Sequence, residues 1–129
     1  MFNNSFLKKL NILFIESNTE DREHFSNILY KFFNNVVVCS NGKDGIDNFL
    51  EKRQEYFVDI IICDKTLEDI TGIEVLKKIR EIDSEIPFII TSPKIEVDDL
   101  LIAIKYKATD YLSKPINGKD MIFCIERVC

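Results

Sequence analysis

At 129 residues the chain has the size of one domain and the means to bury a core. Hydrophobic residues make up 46% and charged residues 30%, the mixture of an ordinary globular protein and not of a disordered or membrane chain. A formal net charge of −5, with no basic stripe, argues against a nucleic-acid surface, which needs clustered Lys and Arg.

Taken in order, Met1 to Leu10 carries two lysines but no apolar stretch of the length a signal peptide needs, so a cytoplasmic location is expected. The first few residues are expected to fray. Apolar runs of strand length follow at Asn11 to Ile15, Val36 to Cys39, Val58 to Cys63, Pro87 to Ile90 and Thr109 to Leu112. Their β-branched, non-alternating character suits strands buried on both faces. The longest, Phe57 to Cys63, falls far short of the roughly 18 residues of a membrane span, so no membrane partner is expected.

Helix-sized stretches separate these runs. Residues 19–33 place Phe25, Ile28, Leu29 and Phe32 on one face, with Ser17 or Asn18 as N-cap and Glu20 and Asp21 in the first turn. Further helices are expected at 42–52, 72–82, 96–107 and 117–128. The alternation predicts an α/β fold, a doubly wound parallel sheet with helices on both faces. Nothing resembling a linker interrupts residues 1–129, which are expected to form one domain. Cys39, Cys63, Cys124 and Cys129 lack CxxC spacing and are expected to be reduced, structural thiols.

In an open parallel sheet, ligands bind beyond the carboxyl ends of the strands, near the point where strand order reverses. Those ends carry Glu16, Ser17 and Asn18; Asp64, Lys65 and Thr66; Thr91 and Ser92; and Ser113, Lys114 and Pro115. Two carboxylates, a hydroxyl and a lysine in one place suit phosphoryl transfer. An aspartate can attack phosphorus and form an aspartyl-phosphate. A lysine, a hydroxyl and a divalent cation would stabilise the charge on the transferred group. Glu16 and Asp64 supply hard oxygen ligands for Mg²⁺, which takes one or two carboxylates and keeps several waters.

The stretches NILFIESN, DIIICDKTLEDITG, IPFIITS and ATDYLSKPI resemble, in order and spacing, segments of response-regulator receiver domains over residues 10–128. The resemblance implies a flavodoxin-like receiver fold with a five-stranded sheet in the order 2-1-3-4-5. It implies Asp64 as phosphoacceptor, Lys114 as the partner lysine before a cis Pro115, and Gly72 as the turn glycine opening the next helix. Ser92, with Thr91 as the alternative, corresponds to the switch hydroxyl, and Tyr111 to the aromatic that turns inward on activation. The metal would be held by Glu16, Asp64 and the backbone carbonyl of Thr66. The implied phosphodonor is a histidine kinase or phosphotransfer protein. The output would be a downstream protein or an attached output domain, with residues 1–129 the N-terminal part of a longer regulator. A homodimer would form through the face of the last two helices and last strand. The implied role is two-component signalling, with self-phosphorylation and autodephosphorylation as the only chemistry.

Three positions depart from the family pattern. Ser17 stands where a second acid is usual, which predicts weakened Mg²⁺ affinity. Glu68 stands where proline is common, and Pro93 removes a backbone N–H after the switch hydroxyl. These departures motivate an alternative, a pseudo-receiver that acts as a protein-interaction module without efficient phosphorylation. A haloacid-dehalogenase-like enzyme is disfavoured because Thr66 occupies the place of its second aspartate. A flavodoxin is disfavoured because no Ser/Thr/Gly-rich phosphate loop follows the first strand. The lone His24 is expected to face solvent, and Tyr111 has two readings, the switch or an edge residue with a wet hydroxyl.

Overall fold

The structure, a computed structural model, describes residues 2–55 and 57–129; Met1 lies outside them. A short helix α1 (Asn4–Leu7) precedes a strictly alternating series. That series runs β1 (Asn11–Ile15), α2 (Thr19–Phe32), β2 (Asn35–Cys39), α3 (Gly42–Lys52), β3 (Ile60–Asp64), α4 (Gly72–Ile82), β4 (Phe88–Ser92), α5 (Val97–Lys105), β5 (Asp110–Ser113) and α6 (Gly118–Val128). All five strands are parallel and lie in the order β2-β1-β3-β4-β5.

Period-two alternation along the central strands divides the core between the sheet's two faces. Leu13, Ile15, Ile61, Cys63, Phe88 and Ile90 turn towards α3, α4 and α5, joining Phe49, Leu76, Ile79 and Ala103. Ile12, Phe14, Ile60, Ile62 and Ile89 turn the other way, against Phe25 and Leu29 of α2 and Met121, Ile122 and Ile125 of α6. Strands β1, β3 and β4 are buried throughout, whereas the edge strands β2 and β5 are only partly covered. Burying each large aliphatic side chain contributes roughly 1.5–3 kcal/mol, so these three strands anchor the fold.

Helix starts follow local capping chemistry. Asn18, Asn41, Thr71 and Asn117 each accept a hydrogen bond from the backbone N–H three residues on, capping α2, α3, α4 and α6. Of the two cap candidates for α2, Asn18 fills the role and Ser17 is left for other contacts. Glu96, at the N-cap position of α5, makes no side-chain cap bond.

The N-terminal segment is ordered rather than frayed. Asn3 caps α1, Leu7 is fully buried, and Phe2 packs against Phe32 and Phe123. The apolar residues at 2, 6 and 7 extend the α2–α6 core, which outweighs the ordering cost of a chain end. Cys39, Cys63 and Cys124 are buried and Cys129 exposed, with no disulfide among the described residues. Burial raises the thiol pKa of Cys39 to about 11 and of Cys124 to about 12, which keeps both protonated.

Candidate functional site

The switch point of this sheet lies between β1 and β3, and strand register assembles the site there. Ile15 pairs with Cys63, so the next residues, Glu16 and Asp64, leave the sheet side by side. Asp64 pairs with Thr91, and Ser92 with Ser113, one residue before Lys114. Four strand ends thus converge on one spot although they are up to 98 residues apart in sequence.

Lys114 sits at the centre. Its Nζ lies 2.8 Å from Oε1 of Glu16, 3.4 Å from Oδ2 of Asp64 and 3.6 Å from Oδ2 of Asp21. The peptide bond between Lys114 and Pro115 is cis. Both Glu16 and Asp64 are buried. Burial is the main force on Glu16, and with hydrogen bonding to Asp64 it pushes the carboxyl up to about 7, against the opposing pull of Lys114. Burial works against the Lys114 ammonium, but its bond to Glu16 and the surrounding carboxylates outweigh this and raise its pKa above the ordinary lysine value.

The loops around this centre are tied down individually. The guanidinium of Arg22 donates to the carbonyls of Glu16 and Ser17, each at 3.1 Å, and Asn18 N donates to Oε2 of Glu16. Thr66 N donates to Oδ1 of Asp64 at 3.3 Å, and Thr66 forms an antiparallel bridge with Thr71. Gly72 is required by close approach: an added Cβ would lie 2.4 Å from the carbonyl oxygen of Asp64. The Gly72 N–H in turn donates to the Lys65 carbonyl at 2.7 Å.

Alternation along β4 separates the two hydroxyl candidates. Thr91, the register partner of Asp64, is buried on the face that Ile89 also uses. Ser92 falls on the opposite face, which Tyr111 shares through its register partner Ile90. Ser92 Oγ donates to the carbonyl of Lys94 at 2.8 Å, closing a turn over Pro93. Tyr111 packs into the core on this face, and its hydroxyl, expected to be wet in the edge-residue reading, is buried with no hydrogen-bond partner among the described residues. Burial raises its pKa.

Several participants carry no signal in the sequence. Asp21 reaches Lys114 because the first turn of α2 carries it over the end of β1. Lys65 forms an ion pair with Asp99, which ties the residue after Asp64 to α5. Lys114 and Asp64 were legible by position; these pairings depend on helix orientation. His24 is exposed, with its ring edge against Phe25.

As a metal site the donor set is sparse. No group of three or more His, Cys, Asp or Glu side chains among the described residues is arranged to hold an ion. Ser17 Oγ is engaged with Ser40 O and Glu68 N. Two adjacent carboxylates still match what Mg²⁺ needs when water completes its shell.

Comparison with known proteins agrees with this geometry. The family model described as response regulator receiver domain matches residues 12–126. The chain belongs to this family. Over 82 residues it is 35% identical to the transcriptional regulatory protein ZraR of Klebsiella oxytoca, a match covering 64% of this chain and 18% of that protein. Over 94 residues it is 33% identical to the response regulator ArlR of Staphylococcus aureus, covering 73% of this chain and 41% of ArlR. It therefore spans less than half the length of either relative. Among solved structures, a receiver domain protein from Clostridium thermocellum superposes with a TM-score of 0.83 at 23% identity, over 92% of this chain and 93% of its own. The N-terminal domain of an uncharacterized Wolinella succinogenes protein does so with a TM-score of 0.83 at 27% identity, over 92% and 93% of the two chains.

This chain is thus a two-component receiver, a signalling domain rather than a classical enzyme. Receiver domains generally bind Mg²⁺ at an acidic pocket. No described helix is long and apolar enough to cross a membrane.

Proposed function

We propose that this receiver is switched by phosphorylation of Asp64, and that a histidine kinase or phosphotransfer protein supplies the phosphoryl group. The observation that supports it is the placement of Lys114 Nζ within 3.4 Å of the Asp64 carboxylate and 2.8 Å of Glu16, at the switch point of the sheet. An oxygen of Asp64 attacks phosphorus, the phosphorus–nitrogen bond of the donor breaks, and the departing imidazole keeps the electron pair.

Each neighbour then has a task. Lys114 offsets the charge that spreads over the phosphoryl oxygens. Glu16, Asp64 and the Thr66 carbonyl would hold Mg²⁺, which supplies further charge neutralisation when bound, and the hydroxyl at 17 makes that affinity weaker than a second acid would. Ser92 donates its hydroxyl to a phosphoryl oxygen and leaves the Lys94 carbonyl to do so, with Thr91 as the alternative donor. Gly72 and Pro115 keep the flanking loops in shape. Tyr111 already lies inward on the face of Ser92, so movement of Ser92 is felt at α5, β5 and α6.

That face carries the output. Val97, Leu101 and Ile104 leave an apolar stripe exposed along α5, which suits a homodimer, a downstream protein or an attached output domain. We take residues 1–129 as one receiver module of a cytoplasmic regulator that makes no contact with nucleic acid itself. Incubation with Mg²⁺ and acetyl phosphate, followed by intact-mass measurement, tests the proposal. A gain of about 80 Da in the wild type and none in Asp64→Asn is expected; no gain in the wild type overturns it.

A further inference from the structure

Two of the three departures from the family pattern touch each other. The amide N–H of Glu68 donates to Ser17 Oγ at 3.2 Å, and the same hydroxyl donates to the carbonyl of Ser40 at 2.8 Å. One side chain therefore joins the loops that follow β1, β2 and β3. The next residue adds a second fastening: the Asp69 carboxylate accepts from Gly42 N and Lys43 N at the start of α3, each at 2.8 Å. The segment after Asp64 is thus held at two consecutive positions against two neighbouring loops.

Both residue types are needed for this arrangement. A hydroxyl can donate to one group and accept from another, whereas a carboxylate only accepts. An aspartate at 17 would turn an oxygen towards the Ser40 carbonyl with no proton between them. Position 68 must carry an N–H, which proline lacks. An acid at 17 and a proline at 68 would each remove one half of the connection.

We propose that Ser17 and Glu68 are a coupled pair that positions the loop following Asp64. In this pair a hydrogen-bonded fastening replaces the stiffness of a proline, and one carboxylate of the metal pocket is given up to make it. The two departures are one substitution in structural terms. The loop they hold contains Thr66, whose N–H reaches Oδ1 of Asp64, so Ser17 acts on the pocket through Glu68 as a positioning residue. The inference concerns the unphosphorylated chain and stands apart from whether Asp64 accepts a phosphoryl group.

Amide exchange and chemical shifts of the whole chain, recorded by NMR without Mg²⁺ or phosphodonor, test it. In Ser17→Ala the Glu68 amide is expected to exchange about tenfold faster, the effect of losing one hydrogen bond. The Ile62 and Ile90 amides should keep their wild-type rates, and the Thr66 amide resonance should move. Ser17→Thr, which keeps the hydroxyl, should return both the Glu68 rate and the Thr66 resonance to wild type. Unchanged exchange at Glu68 in Ser17→Ala overturns the proposal. A cycle of urea midpoints covers the case in which Ser17→Ala alters the whole fold. Glu68→Pro should lower the midpoint less in the Ser17→Ala background than in the wild type; equal losses in both backgrounds overturn the coupling.

Discussion

Lys114 stands nearer to Glu16 than to Asp64, at 2.8 Å against 3.4 Å. The lysine therefore spends its shortest hydrogen bond on Glu16, and Asp64 faces it with Oδ2 while its Oδ1 accepts from the Thr66 N–H. Lys114→Met should leave two buried carboxylates without their shared cation. Urea unfolding at pH 7 is expected to show a loss of about 2 kcal/mol, the scale for a charged, partly buried hydrogen bond. Because Lys114 lowers the pKa of Glu16, the same variant should titrate Glu16 above about 7, as seen by carboxyl carbon NMR.

Stability should fall between about pH 4.5 and 7, the ordinary and folded values for Glu16. A raised carboxyl pKa means that the folded state binds the proton more tightly than the unfolded chain does. The contribution is therefore fully present below the unfolded value and is lost as pH rises through the folded one. Thermal unfolding across this range without divalent ions should show the decline, and Glu16→Gln should flatten it. A stability that rises across the same window in the wild type and not in the variant would contradict the assignment.

Gly72→Ala should disturb the loop after Asp64 more than the helix it opens. The added methyl would meet the Asp64 carbonyl oxygen at 2.4 Å and the Lys65 Cα at 2.8 Å, and both are backbone atoms with little room to yield. A loss of about 1–3 kcal/mol is expected from urea unfolding, although alanine favours helix. The largest amide shift changes should fall at residues 64–66.

Ser17→Asp should move metal affinity and stability in opposite directions. A third carboxylate beside Glu16 and Asp64 is expected to tighten Mg²⁺ binding about tenfold, measured by amide shift titration. Without metal, the lost donation to Ser40 should lower stability by about 1 kcal/mol. A variant that gains both at once would show that the hydroxyl fastening contributes nothing.

The strand pattern made most of the fold legible. Apolar runs at 11–15 and 87–90 lie between polar stretches of helical period, and four of the five side-chain helix caps are Asn. Asp64 and Lys114 could be found because parallel-sheet sites form at strand ends, whatever the details of packing. The ordered N-terminus could not, since Phe2, Phe6 and Leu7 gain their value only from the groove between α2 and α6. The Lys65–Asp99 pair and the approach of Asp21 to Lys114 depend on how α5 and α2 are rotated. Tyr111 shows the same limit: alternation put it on one face, while the burial of its hydroxyl comes from the residues packed around it.

The most direct measurement is the position of the covalent link. After incubation with Mg²⁺ and acetyl phosphate, borohydride reduction converts an aspartyl-phosphate to homoserine, which peptide sequencing by mass spectrometry locates. The account predicts homoserine at position 64, in much reduced yield for Lys114→Met. Homoserine at another acid such as Asp21 or Asp69, or none at 64 in the folded wild type, would contradict it.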